Sequence, residues 1–279
     1  MTKALVILSG GQDSTFCLWL AKRHFSRVSA ITFNYGQRHI RELQAARDVA
    51  MLMGITDHKV VDVGPILEST SPLTDPKAEL EQYQDFKSMD AIIGNRVEKT
   101  LVPMRNALFL TLAANRAVVI GSAALYTGVC EADNANYPDC RDRFIKAQEK
   151  AINEALGYSY ADDHYLRIVT PLMQLSKAQS ILASVRTGAY PYLAFTHTAY
   201  DGSYPPLGQD HATVLRARGF EEANLPDPLI IRAAMEGLME LPATDNYSKE
   251  FFNAPLRVEI AQMQQLLTKK ATSQNDSTK

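Results

Sequence analysis

The sequence predicts an α/β fold: a parallel sheet with helices on both faces, followed by a C-terminal helical cap. Three observations predict it. Short, continuous apolar runs alternate with amphipathic stretches through the first two-thirds of the chain. The first such run, Ala4-Leu5-Val6-Ile7-Leu8, leads directly into a Gly-Gly turn and then a helical pattern. Composition is that of an ordinary globular protein with a sizeable core, 46% hydrophobic over 279 residues.

Each element has its own signal. Residues 4–8 are apolar throughout, as a strand buried on both faces must be. Residues 14–24 carry apolar side chains at helical spacing, and 28–33 are again a strand. The pattern over 40–53 is helical, with Gly54 as its C-terminal stop. Residues 58–63 give a third strand, 105–120 a long apolar helix and 123–129 a strand. Residues 141–156 are amphipathic and helical, 166–169 a strand and 176–186 a helix. Two stretches interrupt the rhythm. Residues 64–100 are polar and turn-rich, which predicts a lid or insertion over the site. Residues 190–206, rich in Tyr, Pro and Thr, predict an irregular loop. Beyond it, 226–241 is helical and 248–269 mixes loop with helix. The expected division is an α/β domain over 1–189, a loop-and-helix segment over 190–270 and a disordered tail over 271–279.

Charge and cysteine usage exclude several classes. There are 29 Lys and Arg against 31 Asp and Glu, a net charge of −2, which argues against a surface that grips long nucleic acid. No apolar run approaches the ~18–20 residues of a membrane helix, and the opening apolar run reads as a strand rather than a secretory signal. Three cysteines, Cys17, Cys130 and Cys140, suit a reducing cytoplasm without a disulfide framework. Cys130 and Cys140 lack the close spacing of a zinc knuckle and are expected to be small buried side chains.

The strongest local signal is Ser9-Gly10-Gly11-Gln12-Asp13-Ser14-Thr15, set between a strand and a helix. The glycines permit a tight turn and a close backbone approach. The hydroxyls of Ser9, Ser14 and Thr15 add donors, and the helix start offers free N–H groups and a positive dipole end. Together they suit phosphate. Asp13 suits a helix cap or a Mg²⁺ that accompanies a nucleotide. Neither Gly-Lys-Ser/Thr nor G-x-G-x-x-G is present. The run resembles the SGGxDS loop of the PP-loop ATP pyrophosphatases. That resemblance implies an adenine-nucleotide alpha-hydrolase (HUP-like) sheet, ATP as substrate, adenylation of an oxygen and release of pyrophosphate.

Further segments narrow the match: Phe33-Asn34-Tyr35-Gly36-Gln37-Arg38-His39, Val102-Pro103-Met104-Arg105-Asn106, Thr127-Gly128-Val129-Cys130-Glu131-Ala132-Asp133, Tyr137-Pro138-Asp139-Cys140-Arg141-Asp142, and Thr170-Pro171-Leu172 with Lys177 following. In this order they resemble the QueC family, the 7-cyano-7-deazaguanine synthases, over roughly residues 3–220. The resemblance implies that 7-carboxy-7-deazaguanine is adenylated, aminated with ammonia to the amide, activated again by ATP and collapsed to the nitrile preQ0. It also implies a homodimer, which exposed edge strands and apolar cap faces suggest independently. A paralogue in DNA modification or defence would make the same adenylate but stop at the amide, or pass the acyl group to an amine or a protein acceptor.

Residue roles follow. Ser9, Gly10, Gly11, Asp13, Ser14 and Thr15 are assigned to ATP phosphates and metal. Arg38 follows a strand end, where ligands collect, and is assigned to a substrate carboxylate or a phosphate. Arg105 and Lys177 open helices, where a cation opposes the dipole, so both are assigned to ligand, Lys177 to phosphate. With Asp13 they form the expected catalytic set. A deazaguanine offers its N1–H and 2-amino group to one carboxylate, and either Glu131 or Asp133 fits that role. Tyr137 is expected to stack on the base, and Asp139 and Arg141 complete the substrate side.

QueC proteins resemble one another in a structural zinc site built on Cys-Tyr-Asn-Gly and a following Cys-x-x-Cys-x-x-Cys-x-x-Arg. Here Ala199, Leu207, Asp210 and Thr213 occupy the four cysteine positions, while Arg216 is retained. The expectation is no structural zinc, with Tyr204, Pro205, Pro206 and Leu207 supplying packing and stiff backbone, rather than a site rebuilt from His197, Asp210 and His211. Met104 stands where the family usually has a small residue and is expected to narrow the pocket edge.

Overall fold

The structure, a computed structural model, describes residues 3–38, 40–67, 69–75, 77–131, 136–206, 208–248 and 257–276. Its centre is β1, Lys3–Ile7, in which Ala4, Leu5 and Val6 have no solvent exposure. β1 pairs on one side with β2, Arg27–Asn34, and on the other with β4, Ala124–Tyr126. β3, His58–Asp62, and β5, Arg167–Val169, complete a parallel sheet in the order β3-β2-β1-β4-β5.

Alternation along β1 divides the core in two. Ala4, Val6 and Leu8 pack with α1, Gln12–His24, and α2, Arg41–Leu52. Leu5 faces the opposite way, toward Leu110, Ala113, Ala114 and Ala117 of α4, Arg105–Val119, and Ile145 and Ile152 of α5, Asp142–Leu156. Helices therefore cover both faces, as the continuous apolar strands require. After β3 the chain returns to the other side of β1. The C-terminal ends of β1 and β4 thus flank the switch point where ligands bind in open α/β sheets.

Several elements differ from the sequence reading. β4 stops at Tyr126, because a side chain at Gly128 would stand 2.9 Å from the backbone N of Ser14; the strand end lies flat against the start of α1. The 64–100 insertion contains α3, Phe86–Ile93, opened by a reciprocal capping box between Asp85 and Ser88. Residues Tyr190–Phe195 are a buried 3-10 helix rather than an irregular loop, since Phe195 and Ala194 join the core beside α1 and α2. α6, Lys177–Thr187, is followed by α7, His211–Glu222, which the sequence reading did not assign; Asp210 caps its first turn through Thr213 N. α8, Pro228–Met235, ends before residue 241, where Gly237 takes φ +72°. α9, Arg257–Asp276, continues past residue 271. It docks on α2 through buried Met263, with Lys269 Nζ donating to Leu52 O at 3.3 Å and Lys270 paired to Asp48.

The C-terminal segment is tied down by Arg216, 3% exposed. Its Nε and Nη2 donate to the two carboxylate oxygens of Asp227 at 2.5 and 2.8 Å. Nη1 donates to Thr196 Oγ1 and Thr198 Oγ1, and Nη2 also to Leu193 O. Asp227 in turn caps α8 through Leu229 N. One guanidinium thus fastens the 190–195 turn, α7 and α8. Arg216→Leu strands a buried carboxylate at a cost of about 3–5 kcal/mol. Thermal unfolding followed by circular dichroism is expected to show a melting temperature lower by roughly 10 °C. Ala at the exposed Arg218 pair is the control, with an effect within about 1 kcal/mol.

Candidate active site

A cavity of about 320 Å³ opens at the carboxyl ends of β1, β2 and β4. Its floor is the loop between β1 and α1. Gly10 holds φ +88°, and a side chain there would strike Glu42 O at 2.4 Å and Ala46 N at 2.7 Å, so only glycine lets the turn sit against α2. Gly11, by contrast, faces the cavity, and a Cβ there meets nothing nearer than Ser9 Oγ at 3.4 Å. Its bare backbone leaves space for a ligand rather than for protein. Ser14 Oγ accepts from Ser9 N at 3.2 Å, donates to Gly11 O at 3.1 Å and lies 3.0 Å from Ser9 Oγ. These contacts hold the loop open in a preformed shape. Thr15, assigned to phosphate from the sequence, is fully buried and does not line the cavity: it sits one position further round α1, on the core-facing side.

Asp13 and Lys177, from the first turns of α1 and α6, meet across the cavity at 2.8 Å. The Lys177 stem runs over Gly219 of α7, where an added Cβ would lie 2.4 Å from Lys177 Cγ. Gly219 therefore sets the path of the lysine, a role the sequence reading missed because it depends on two helices meeting.

On the opposite wall stand Arg105, Tyr35 and Glu42. Arg105 Nη1 lies 3.5 Å from Tyr35 OH, and its guanidinium carbon 5.5 Å from the centre of the Tyr35 ring. Burial opposes its charge, but the phenols of Tyr35, Tyr137 and Tyr200 and the Cys140 thiol hold its pKa above the ordinary arginine value. Among the described residues it forms no ion pair. Burial pushes the Glu42 carboxyl up to about 7, with Arg105 pulling it part of the way back. Burial likewise carries Tyr35 to about 12. Phe33 and Phe109 stack at 4.4 Å behind Tyr35 and give this side an apolar, low-dielectric wall.

The insertion supplies a third wall. Leu73 lines the cavity, and Glu98, 2% exposed, accepts from Tyr83 OH, Tyr137 OH and Thr100 N. Tyr137, expected from the sequence to stack on the base, is thereby held at the cavity, which it lines. Other expectations are corrected. Arg38 is exposed and off the cavity: its Nη1 donates to Pro72 O and Ala78 O, so it clamps the insertion instead of meeting an anion. Glu131 is exposed and accepts from Asp142 N at the start of α5. Asp139 accepts from Asn106 N in the first turn of α4. Arg141 precedes α5 and does not line the cavity. The first turns of α4 and α5 need acceptors for their N–H groups, and these motif carboxylates fill that need. Asp133 and Leu207 lie outside the described residues. No disulfide forms among the described residues; Cys17 and Cys130 are buried and Cys140 is partly exposed, and Cys130 and Cys140 line the cavity.

At the positions of the expected zinc-less segment, Ala199 is buried, and its carbonyl lies 2.8 Å from His197 Nε2. Asp210 accepts from Thr213 N, Thr213 Oγ1 and Tyr200 N at 3.0–3.3 Å. No group of three or more metal-ligating side chains occurs among the described residues.

Comparison with known proteins decides the family. The family model described as queuosine biosynthesis protein QueC matches residues 3–224. The chain belongs to the QueC family. A 7-cyano-7-deazaguanine synthase of Gloeobacter violaceus is 47% identical over 232 residues, 82% of this chain and 96% of that one. Synthases of Laribacter hongkongensis and Chromobacterium violaceum are 44% and 43% identical, covering 83% and 84% of this chain and 95% of each relative. A solved 4-thiouridine synthetase–RNA complex with bound ATP has a TM-score of 0.41 at 14% identity, covering 98% of this chain and 54% of that one, too distant to bear on the chemistry.

Gly219→Ala is expected to destabilise the chain by about 1–3 kcal/mol through overpacking against Lys177. In a double-mutant cycle read by thermal unfolding, Lys177→Ala removes the clash, giving a favourable coupling of about 1 kcal/mol. Strict additivity would show that the glycine does not set the lysine's path.

Proposed function

We propose that this chain uses ATP to adenylate the carboxylate of 7-carboxy-7-deazaguanine, aminates it with ammonia and dehydrates the amide to 7-cyano-7-deazaguanine, releasing AMP and pyrophosphate. One observation carries the reading. The SGGQDS loop, the Asp13–Lys177 pair and Arg105, which forms no ion pair among the described residues, line one cavity in a chain closely similar to named synthases. The loop's backbone receives the ATP phosphates, and Lys177 offsets their charge. Asp13 is the loop's cavity-lining carboxylate, and it would hold Mg²⁺ together with the nucleotide's own phosphates, the usual way a protein holds that ion. Bound Mg²⁺ supplies charge neutralisation on phosphorus. Arg105 holds the carboxylate to be activated. Since Glu131 caps α5, the base-reading role passes to Asp133. The Asp210 hydrogen bonds and the Arg216 network support folding of the C-terminal segment without zinc. No helix among the described residues is long and apolar enough to cross a membrane, and we place the enzyme in the cytoplasm as a homodimer.

Incubation with 7-carboxy-7-deazaguanine, ATP, Mg²⁺ and ammonium, followed by mass spectrometry, is expected to yield the nitrile. Accumulation of amide, or a protein adduct, would sink this reading in favour of an amide-forming or conjugating paralogue. Asp13→Ala is expected to lower AMP release at least ~10²-fold. In the same assay Asp133→Asn raises KM for the acid, and Cys130→Ser changes little.

Metal analysis of protein purified without added zinc is expected to find well under one zinc per chain, with no change in melting temperature on chelation. Stoichiometric zinc whose removal unfolds the protein would show that a metal site has been rebuilt.

A further inference from the structure

We propose that Glu42 is the proton acceptor of both nitrogen-handling steps: it takes the proton released when ammonia displaces AMP, and the proton lost from nitrogen when the nitrile forms. The proposal rests on the synthase reading of this cavity. Two carboxylates line the cavity among the described residues, Asp13 and Glu42. Asp13 is engaged with Lys177. Glu42 lines the cavity and makes no hydrogen bond or ion pair through its side chain among the described residues, which leaves its carboxylate without a protein donor there.

Position favours a proton acceptor over a base reader. Arg105 and Glu42 line the same cavity, so a substrate carboxylate held by Arg105 has its reacting carbon in the space that Glu42 borders. The N1–H and 2-amino edge lies at the far end of the bicyclic ring. Other groups around the cavity suit the task less. Tyr35 faces Glu42 too, but burial takes its phenol to about 12. His197 has Nε2 on Ala199 O, Lys177 is paired with Asp13, and His211 belongs to α7. A carboxyl titrating at about 7 is matched to proton transfer near neutrality.

The chemistry balances. Ammonia attacks the acyl carbon, the C–O bond to AMP breaks, and one N–H proton passes to Glu42, which returns it to solvent. In the second round the amide oxygen displaces pyrophosphate from ATP, and nitrogen loses one proton to solvent. The C–O bond to AMP then breaks while the remaining N–H proton passes to Glu42, leaving C≡N. Both nitrogen protons leave as protons, and the oxygen departs with AMP.

The test uses full-length Glu42→Gln and Glu42→Asp. Acid-dependent ATP–pyrophosphate exchange without ammonia reads adenylation; nitrile formation reads the nitrogen steps. Glu42→Gln is expected to lower nitrile formation by about 10²–10⁴-fold and exchange far less. The wild-type rise in rate as pH passes upward through about 7, where the carboxyl deprotonates, disappears. Glu42→Asp recovers part of the rate. An unchanged nitrile rate, a retained pH rise, or parallel loss of exchange with raised KM for the acid would overturn the assignment. If the wild type consumes no acid at all, the synthase reading itself fails, and the assignment with it.

Discussion

The site depends on a close backbone approach on both sides of the β1–α1 turn. Gly10 brings the turn against Glu42 O and Ala46 N of α2, and Gly128 brings the end of β4 against the backbone of Asp13 and Ser14. Neither contact survives a side chain. Between them they fix the height of the turn above the sheet, the direction in which α1 leaves and the first turn of α2. Asp13 and Glu42 are therefore placed by the same clamp, one from each helix. A glycine-rich phosphate loop is commonly explained by the ligand's need for room. Here Gly11 and Gly128 line the ligand space, but Gly10 and Gly128 are also required by close backbone approaches within the protein itself.

This division explains what was legible in the sequence. Strands β1 to β3, helices α1 and α2 and the loop between them are local: apolar runs, a helical period and a turn signal lie within one short stretch. The fold class followed from that rhythm. Arg38, Glu131 and Asp139 stand off the cavity, which the motifs did not show: a motif gives residue types that occur together, not which partner each one meets. Arg38 found carbonyls of the insertion, and the two carboxylates found N–H groups at helix starts. Glu42 and Gly219 were invisible for the opposite reason. Each looks like an ordinary helical residue until another element packs against it. Helix α7 was hidden by reading 207–216 as the remnant of a metal frame.

That segment is a hydrogen-bonded hub. Arg216 satisfies every N–H of its guanidinium inside the protein, and Asp227 spends its two oxygens on Arg216 and the α8 cap. Asp210 binds Thr213 and Tyr200 in the same segment. Buried charges of this kind are tolerated because their partners are complete. They also give direction that an apolar patch lacks, holding α7 so that Gly219 meets Lys177 at one place. Through that contact the C-terminal segment reaches the cavity.

Asp13, Glu42, Arg105 and Lys177 occupy the first turns of α1, α2, α4 and α6, the helices that follow the carboxyl ends of the strands. Each helix start carries roughly half a positive charge from its aligned peptides. The fold itself therefore makes the cavity favourable to anions before any side chain acts. Two cations add to that field, and two carboxylates stand inside it for different reasons. Asp13 is paired with Lys177. Glu42 has no such partner among the described residues; burial raises its proton affinity, while Arg105 lowers it and the helix start adds to that lowering. A carboxyl poised between those opposing effects titrates near neutrality, and an anion bound at Arg105 would raise its proton affinity further. Substrate binding and proton acceptance are coupled through that one guanidinium.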